Sequence, residues 1–126
     1  MNLAASAWCE SCRRADSAGD YDKTLELDNA FHQLIFLSAD KAWVYDHLRT
    51  QMIHFDRLRR LAMGIIEDKG ENTIKDHEDL IYAITRHDAE MAEMLLNRHL
   101  THYQMDLSRL MKEYPDYFIS KRAEAE

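Results

Sequence analysis

The chain has 126 residues, with 23 acidic against 16 basic side chains and a formal charge of −7 with the histidines neutral. That length is one domain, and the negative balance speaks against these residues gripping a polyanion such as DNA by themselves. Apolar types at 46% and charged types at 31% exclude a wholly disordered chain, and no apolar run approaches the ~18–20 residues of a membrane span.

Glycine and proline total only 4, where average usage gives roughly 15 in such a length. A single valine stands beside 14 leucines and 14 alanines, the composition of an all-α protein. The N-terminus lacks a basic segment followed by an apolar one, so no signal peptide is read and a cytoplasmic location is expected.

Residues 1–18 are alanine-rich and fit a short helix ending near Gly19, with Asp20-Tyr21-Asp22 as a turn. The next helix is expected from about Lys23 to Leu37, with Leu27, Phe31, Leu34 and Ile35 inward. Ser38-Ala39-Asp40 then offers a break and an N-cap. A longer helix is read from about Lys41 to Met63, carrying Val44, Leu48, Met52, Phe55, Leu58 and Ala62 on one face. Gly64 closes it before the loop Glu67 to Glu71, the longest loop expected. Asn72 or Thr73 caps a third helix to about Arg86, with Ile74, Leu80, Ile81 and Ile84 inward. Asp88 caps a fourth, which runs to about Glu113 before Pro115. The expected architecture is an antiparallel helical bundle: residues 1–19 as an N-terminal helix remnant, 20–114 as the bundle and 115–126 as a C-terminal tail.

The chemistry lies in polar residues that share these apolar faces. Asp28 and His32 are four apart and emerge one turn above the other. His77 falls in the register of Ile74 and Leu80, and His99 in that of Ala92, Leu95 and Tyr103. One inward histidine is more often a hydrogen-bonded core residue than a ligand. A carboxylate and three imidazoles converging from three helices are what a cation resolves, because it favours ionised aspartate and neutral histidine.

The strings Leu27-Asp28-Asn29-Ala30-Phe31-His32, Asp76-His77-Glu78-Asp79-Leu80-Ile81 and Arg98-His99-Leu100 resemble the FCD ligand-binding domain of GntR-family transcription regulators of the FadR type. The resemblance covers roughly residues 20–112. It implies an all-helical bundle in which Asp28, His32, His77 and His99 bind a divalent metal ion, zinc first with nickel or manganese as alternatives. It further implies metal-dependent sensing of a small carboxylate metabolite and a homodimer. DNA would be bound only through an N-terminal winged helix-turn-helix, for which this stretch has no counterpart. The departures from the family pattern are Asp40, where Asn is frequent, and Asp76, where Glu is common. Neither is expected to touch a proposed ligand. One aspartate and three histidines leave open positions on an octahedral ion for water and an effector carboxylate. Arg57 and Arg60, sharing a face at i,i+3, are the expected effector-binding residues.

Trp8-Cys9-Glu10-Ser11-Cys12 has the letters of a W-C-x-x-C redox motif but no surrounding βαβ pattern, and free thiols are the expectation. His77-Glu78 begins like H-E-x-x-H, yet Ile81 occupies the fifth position. The absence of any Glu-x-x-His removes a di-iron carboxylate bundle. No catalytic residue is assigned and the expectation is a non-enzyme. The alternative is a small mononuclear-metal hydrolase of bundle fold. His47, His54 and His87 are read as surface or structural, as is His102, which could also support His99 from behind.

Overall fold

Alanine-rich sequence, a glycine with positive φ and a capping aspartate set the first turn of the chain. In a computed structural model, which describes residues 3–118, helix α1 (Leu3–Ser17) stops at Gly19, whose φ of 68° is the left-handed geometry that suits glycine. Asp20 then caps α2 (Tyr21–Ser38), its carboxylate accepting the Lys23 amide at 3.1 Å. Residues expected as a turn are therefore the cap and first turn of α2.

The single long helix expected from Lys41 to Met63 is two helices, α3 (Ala42–Arg49) and α4 (Ile53–Ile65), broken at Thr50-Gln51-Met52. The Thr50 hydroxyl donates to the His47 carbonyl at 2.7 Å, and Arg49 forks onto Asp56 at 3.1 and 2.9 Å across the break. Local side-chain bonds of this kind compete with helix continuation. Helix α5 (Lys69–Thr85) begins earlier than expected, at Lys69 rather than after an Asn72 or Thr73 cap, and Asp68 precedes it at φ 57°. Helix α6 (Ala89–Glu113) starts from the expected cap, Asp88, which accepts the Met91 amide at 3.0 Å. It ends at Tyr114, and a short 3-10 turn follows at Pro115–Tyr117. The rest of the expected tail, 119–126, lies outside the described residues.

The result is the expected all-α bundle, with no strand among the described residues. Helix α1 packs on α2 and α5, α5 on α6, and α2 on α3 and α4, while α4 also meets α5 and α6. Two adjoining apolar clusters tie them together. Phe31, Leu80, Ala83 and Leu95 form one, and Cys9, Cys12 and Ile74 the other, with Trp8 and Ile81 against both. Each fully buried large side chain here contributes roughly 1.5–3 kcal/mol. Leu34 and Ile84, expected inward, are 61% and 46% exposed. Their places on the inner faces are taken by Thr24 and Asp28 on α2 and by His77 on α5, all buried. The bundle's interior is thus polar along one line, and that line is the site.

Candidate metal centre and effector cavity

Helix geometry delivers the polar side chains to one place. Asp28 and His32 come from successive turns of α2, His77 from the middle of α5 and His99 from the middle of α6. The ligand nitrogens of His32, His77 and His99 lie within 4.8 Å of one another. Asp28 Oδ1 stands 3.2 Å from His77 Nε2 and 3.6 Å from His32 Nε2. Aromatic packing fixes the rings: Phe31 stacks on His77 with centroids 4.1 Å apart, and Trp8 stacks on Phe31 at 5.0 Å. The structure brings all four sequence-selected ligand candidates together.

Charge states follow from the surroundings. Burial lowers the His77 pKa to about 3, overriding the pull of Asp28, so the ring is neutral at physiological pH. Burial also lowers that of His99, against a hydrogen bond to Asp76 that raises it. For Asp28 burial would favour the neutral acid. The nearby His32 and His77 rings and the Arg59 guanidinium outweigh it and hold the carboxyl well below the usual range. Neutral imidazoles beside an ionised carboxylate are the donor states that a divalent cation requires.

The fit to a cation rests on two orphaned atoms. Asp28 Oδ1 and His77 Nε2 are both buried and neither makes a hydrogen bond, although they face each other. Unpaired buried polar atoms are costly, and one ion would satisfy both. Metal bonds of ~2.0–2.2 Å place donors around one ion ~3–4 Å apart, so the imidazoles already stand near the needed spacing. The other carboxylate oxygen of Asp28, Oδ2, is held by Arg59.

Behind the cluster, Asp76 Oδ2 lies 3.3 Å from His99 Nδ1. Burial works against its charge, but the bonds from His99 and His102 and the charge of Arg98 keep its pKa low. An ionised carboxylate only accepts, so Nδ1 carries the proton and Nε2 is left to the cavity. The expectation that Asp76 touches no proposed ligand is thus corrected. From position 76 on α5 its short side chain reaches across to α6. His102 reaches this carboxylate too, at 3.4 Å. Asp40, the other departure, sits at φ 57° in the turn after α2, a left-handed position that Asn tolerates well.

The cluster opens into a cavity of about 220 Å³ lined by side chains from all six helices, α1 to α6, smaller than the ~300–1,000 Å³ typical of drug-sized ligands. The arginine that enters it is Arg59. Its guanidinium is engaged by Asp28, by Asn29 Oδ1 at 2.5 Å and by Asp56 Oδ1 at 2.6 Å, and lies over the Phe55 ring. Arg57 and Arg60 do not reach it. Both are exposed and line a second, open cleft with Tyr21, His54 and Tyr117, and Arg60 pairs with Asp22 at 3.1 Å. The inward register Phe55, Leu58, Ala62 explains this placement. It contains position 59, four from 55 and three from 62, and it turns 57 and 60 outward.

The family model described as the FCD domain matches residues 4–102. This chain belongs to the FCD domain family. The FCD match begins within α1, whose Cys9, Cys12 and Ala15 are buried in the bundle. Among curated proteins it is similar to the HTH-type transcriptional repressor RspR of Escherichia coli strain K12. The two are 26% identical over 97 residues, covering 77% of this chain and 42% of that protein. It is 27% identical over 105 residues to an uncharacterized HTH-type transcriptional regulator in an unstable DNA locus of Streptomyces ambofaciens, covering 82% and 44% of the two chains. The chain spans less than half the length of the curated relatives it matches. Both relatives carry the names of HTH-type transcriptional regulators.

The two cysteines of the W-C-x-x-C string are free and buried in α1. Burial pushes the Cys12 thiol up to about 12, the opposite of a redox cysteine's poise. No helix of the described residues is long and apolar enough to cross a membrane.

Proposed function

We propose that this FCD domain is the effector-binding part of a GntR-type transcriptional regulator, that it holds a divalent metal ion on Asp28, His32, His77 and His99, and that it senses a small carboxylate metabolite in the adjoining cavity. The observation that carries this reading is the facing pair of buried, unbonded donors, Asp28 Oδ1 and His77 Nε2, inside a cluster of three imidazoles that lines the adjoining cavity. Zinc, with nickel or manganese as alternatives, suits a donor set of nitrogens and one oxygen. When bound, the ion supplies positive charge and open positions for a carboxylate.

The chain's own residues supply the rest. Arg59 is the proposed partner of the effector carboxylate, because its guanidinium is already ordered by Asp28, Asn29 and Asp56 and still holds a buried Nε–H without a partner. Apolar walls from Phe55 and from the buried Ala62 and Ile74 lower the local dielectric and strengthen that pairing. An effector that bonds to α2, α4, α5 and α6 together favours one packing of these helices over another. That differential affinity is the requirement for regulating an attached DNA-binding unit. A homodimer is part of the same proposal.

Calorimetry with the zinc-loaded chain and a panel of short carboxylates tests the reading. Binding is expected with the metal present and absent after chelation. Arg59→Met should weaken it by at least tenfold, and Arg57→Ala or Arg60→Ala should leave it within about threefold, since one buried charge-assisted bond is worth ~1.5–3 kcal/mol. Binding that persists unchanged in metal-free protein, or that falls with Arg57 and Arg60 and not with Arg59, would overturn the assignment.

A further inference from the structure

The cavity has a second polar end. Lys69 and Asp106 form an ion pair that lines the same space as the histidine cluster, with Thr73 beside them. On α5, Lys69 lies eight residues before His77, and on α6 Asp106 lies seven after His99. At 1.5 Å per residue these offsets are roughly 12 and 10 Å along the two helices, in the same direction because the helices run opposite ways. The pair therefore sits about two turns from the proposed metal, at the far end of the same cavity. Its side chains are only about one-fifth exposed.

Two features define what this end can take. The pair is neutral as a whole, so a ligand group with a net charge would have to break it. Its hydrogen-bonding capacity is also only partly spent: Asp106 Oδ2 is buried against the Lys69 ammonium, which carries three donors and so keeps two to offer, and a carboxylate has further acceptor sites beyond that one contact. The Thr73 hydroxyl donates to the Lys69 carbonyl at 2.9 Å, leaving its oxygen free to accept. A neutral hydroxyl both donates and accepts, and so matches a carboxylate and an ammonium at once without disturbing their attraction.

We infer that Lys69, Asp106 and Thr73 form a distal subsite for a hydroxyl group, and that this FCD domain selects an elongated hydroxycarboxylate whose acid end lies at the histidine cluster and whose hydroxyl lies at the Lys69–Asp106 pair. The inference rests on the carboxylate reading above and specifies its ligand class. Lys69 and Asp106 set specificity in it, separately from the groups that hold the acid end. A hydroxyl on a short acid such as glycolate cannot reach both ends, so affinity should grow with the length of the chain between acid and alcohol.

The test is calorimetry of the full zinc-loaded chain with glycolate, γ-hydroxybutyrate, ω-hydroxyhexanoate, unsubstituted hexanoate, adipate and ω-aminohexanoate. The expected result is that ω-hydroxyhexanoate binds at least tenfold tighter than hexanoate and tighter than either shorter hydroxy acid. Lys69→Met/Asp106→Leu, which removes both charges together, should abolish that advantage while hexanoate binding stays within about threefold. Lys69→Gln/Asp106→Asn serves the same comparison if the apolar pair fails to fold. Equal affinity for hexanoate and its hydroxy derivative would overturn the subsite while leaving the metal-carboxylate reading intact. So would an advantage that survives in the folded double variant, or tenfold tighter binding of adipate or ω-aminohexanoate, which would mark a charge-reading site. If no carboxylate binds the zinc-loaded chain, the underlying reading falls and the subsite with it.

Discussion

Asp76 illustrates how much a single side chain does behind the candidate centre. It gathers His99, His102 and Arg98 onto one carboxylate, and by accepting from His99 Nδ1 it fixes the tautomer that offers Nε2 to the cavity. Asp76→Ala is expected to lower zinc affinity 10–100-fold in competition titrations with a chromogenic chelator while the helical circular dichroism is unchanged. Asp76→Glu, the residue common in the family, should recover most of the loss. An unchanged affinity in the alanine variant would remove Asp76 from the site.

Asp56 makes a different prediction, about stability and pH. Burial opposes its charge, but the hydrogen bonds from Arg49 and Arg59 outweigh that and lower its pKa in the folded state. A carboxylate with a depressed folded pKa stabilises the fold fully above its unfolded value near ~3.9 and loses that contribution as pH falls through the folded value. Asp56→Asn should therefore cost about 1.5–3 kcal/mol in urea denaturation at pH 7. The gap between variant and wild type should close as pH drops below about 4. A gap that persists undiminished into that acid range would mean that packing, not charge, accounts for it.

At the scale of elements, periodicity made most helices legible and concealed one boundary. Apolar spacing continued without interruption from Val44 to Ala62, so the break at Thr50-Gln51-Met52 left no mark in the hydrophobic pattern. It is set by the Thr50 hydroxyl and by the Arg49–Asp56 fork, which are local polar contacts. The four ligand candidates were legible because each occupies an inward register position on a regular helix. Arg57 and Arg60 share an i,i+3 face, but that face points away from the cavity, and the inward register of α4 falls on Arg59. Lys69 was hidden differently: it was read as loop, and only the early start of α5 puts it in a helix facing α6.

The α1–α5 junction carries a prediction of its own. Gly70 is buried in the first turn of α5, where an added Cβ would stand 1.9 Å from Asp16 Oδ1. Asp16 is itself uncomfortable there: burial, then the charges of Glu71 and Asp68, raise its pKa. Gly70→Ala should cost about 1–3 kcal/mol by thermal or urea denaturation despite alanine's better helix propensity. Asp16→Ala introduced beside it should restore most of the loss. A stabilised Gly70→Ala single variant would show that α1 and α5 can part more easily than their packing implies.

Taken as a whole, the molecule is a helical bundle whose interior is apolar on one side and polar along a line from the histidine cluster to the Lys69–Asp106 pair. A ligand that binds only the folded state stabilises it by RT ln(1 + [L]/Kd), about 2.7 kcal/mol at a hundredfold excess over Kd. Loading zinc should accordingly raise the unfolding temperature by several degrees. The four candidate ligands come from α2, α5 and α6, so an ion held by them would tie three helices at one point. The central claim is that these four residues bind a divalent cation. The direct measurement is metal content by elemental analysis after dialysis against zinc, nickel or manganese, on protein purified without chelator or polyhistidine tag. The Asp28→Ala/His77→Ala variant is measured beside it, its folding checked by circular dichroism. The account predicts ~1 ion per wild-type chain and almost none in the folded variant. Wild-type protein that retains none of the three metals, or a variant that retains as much as wild type, would contradict it.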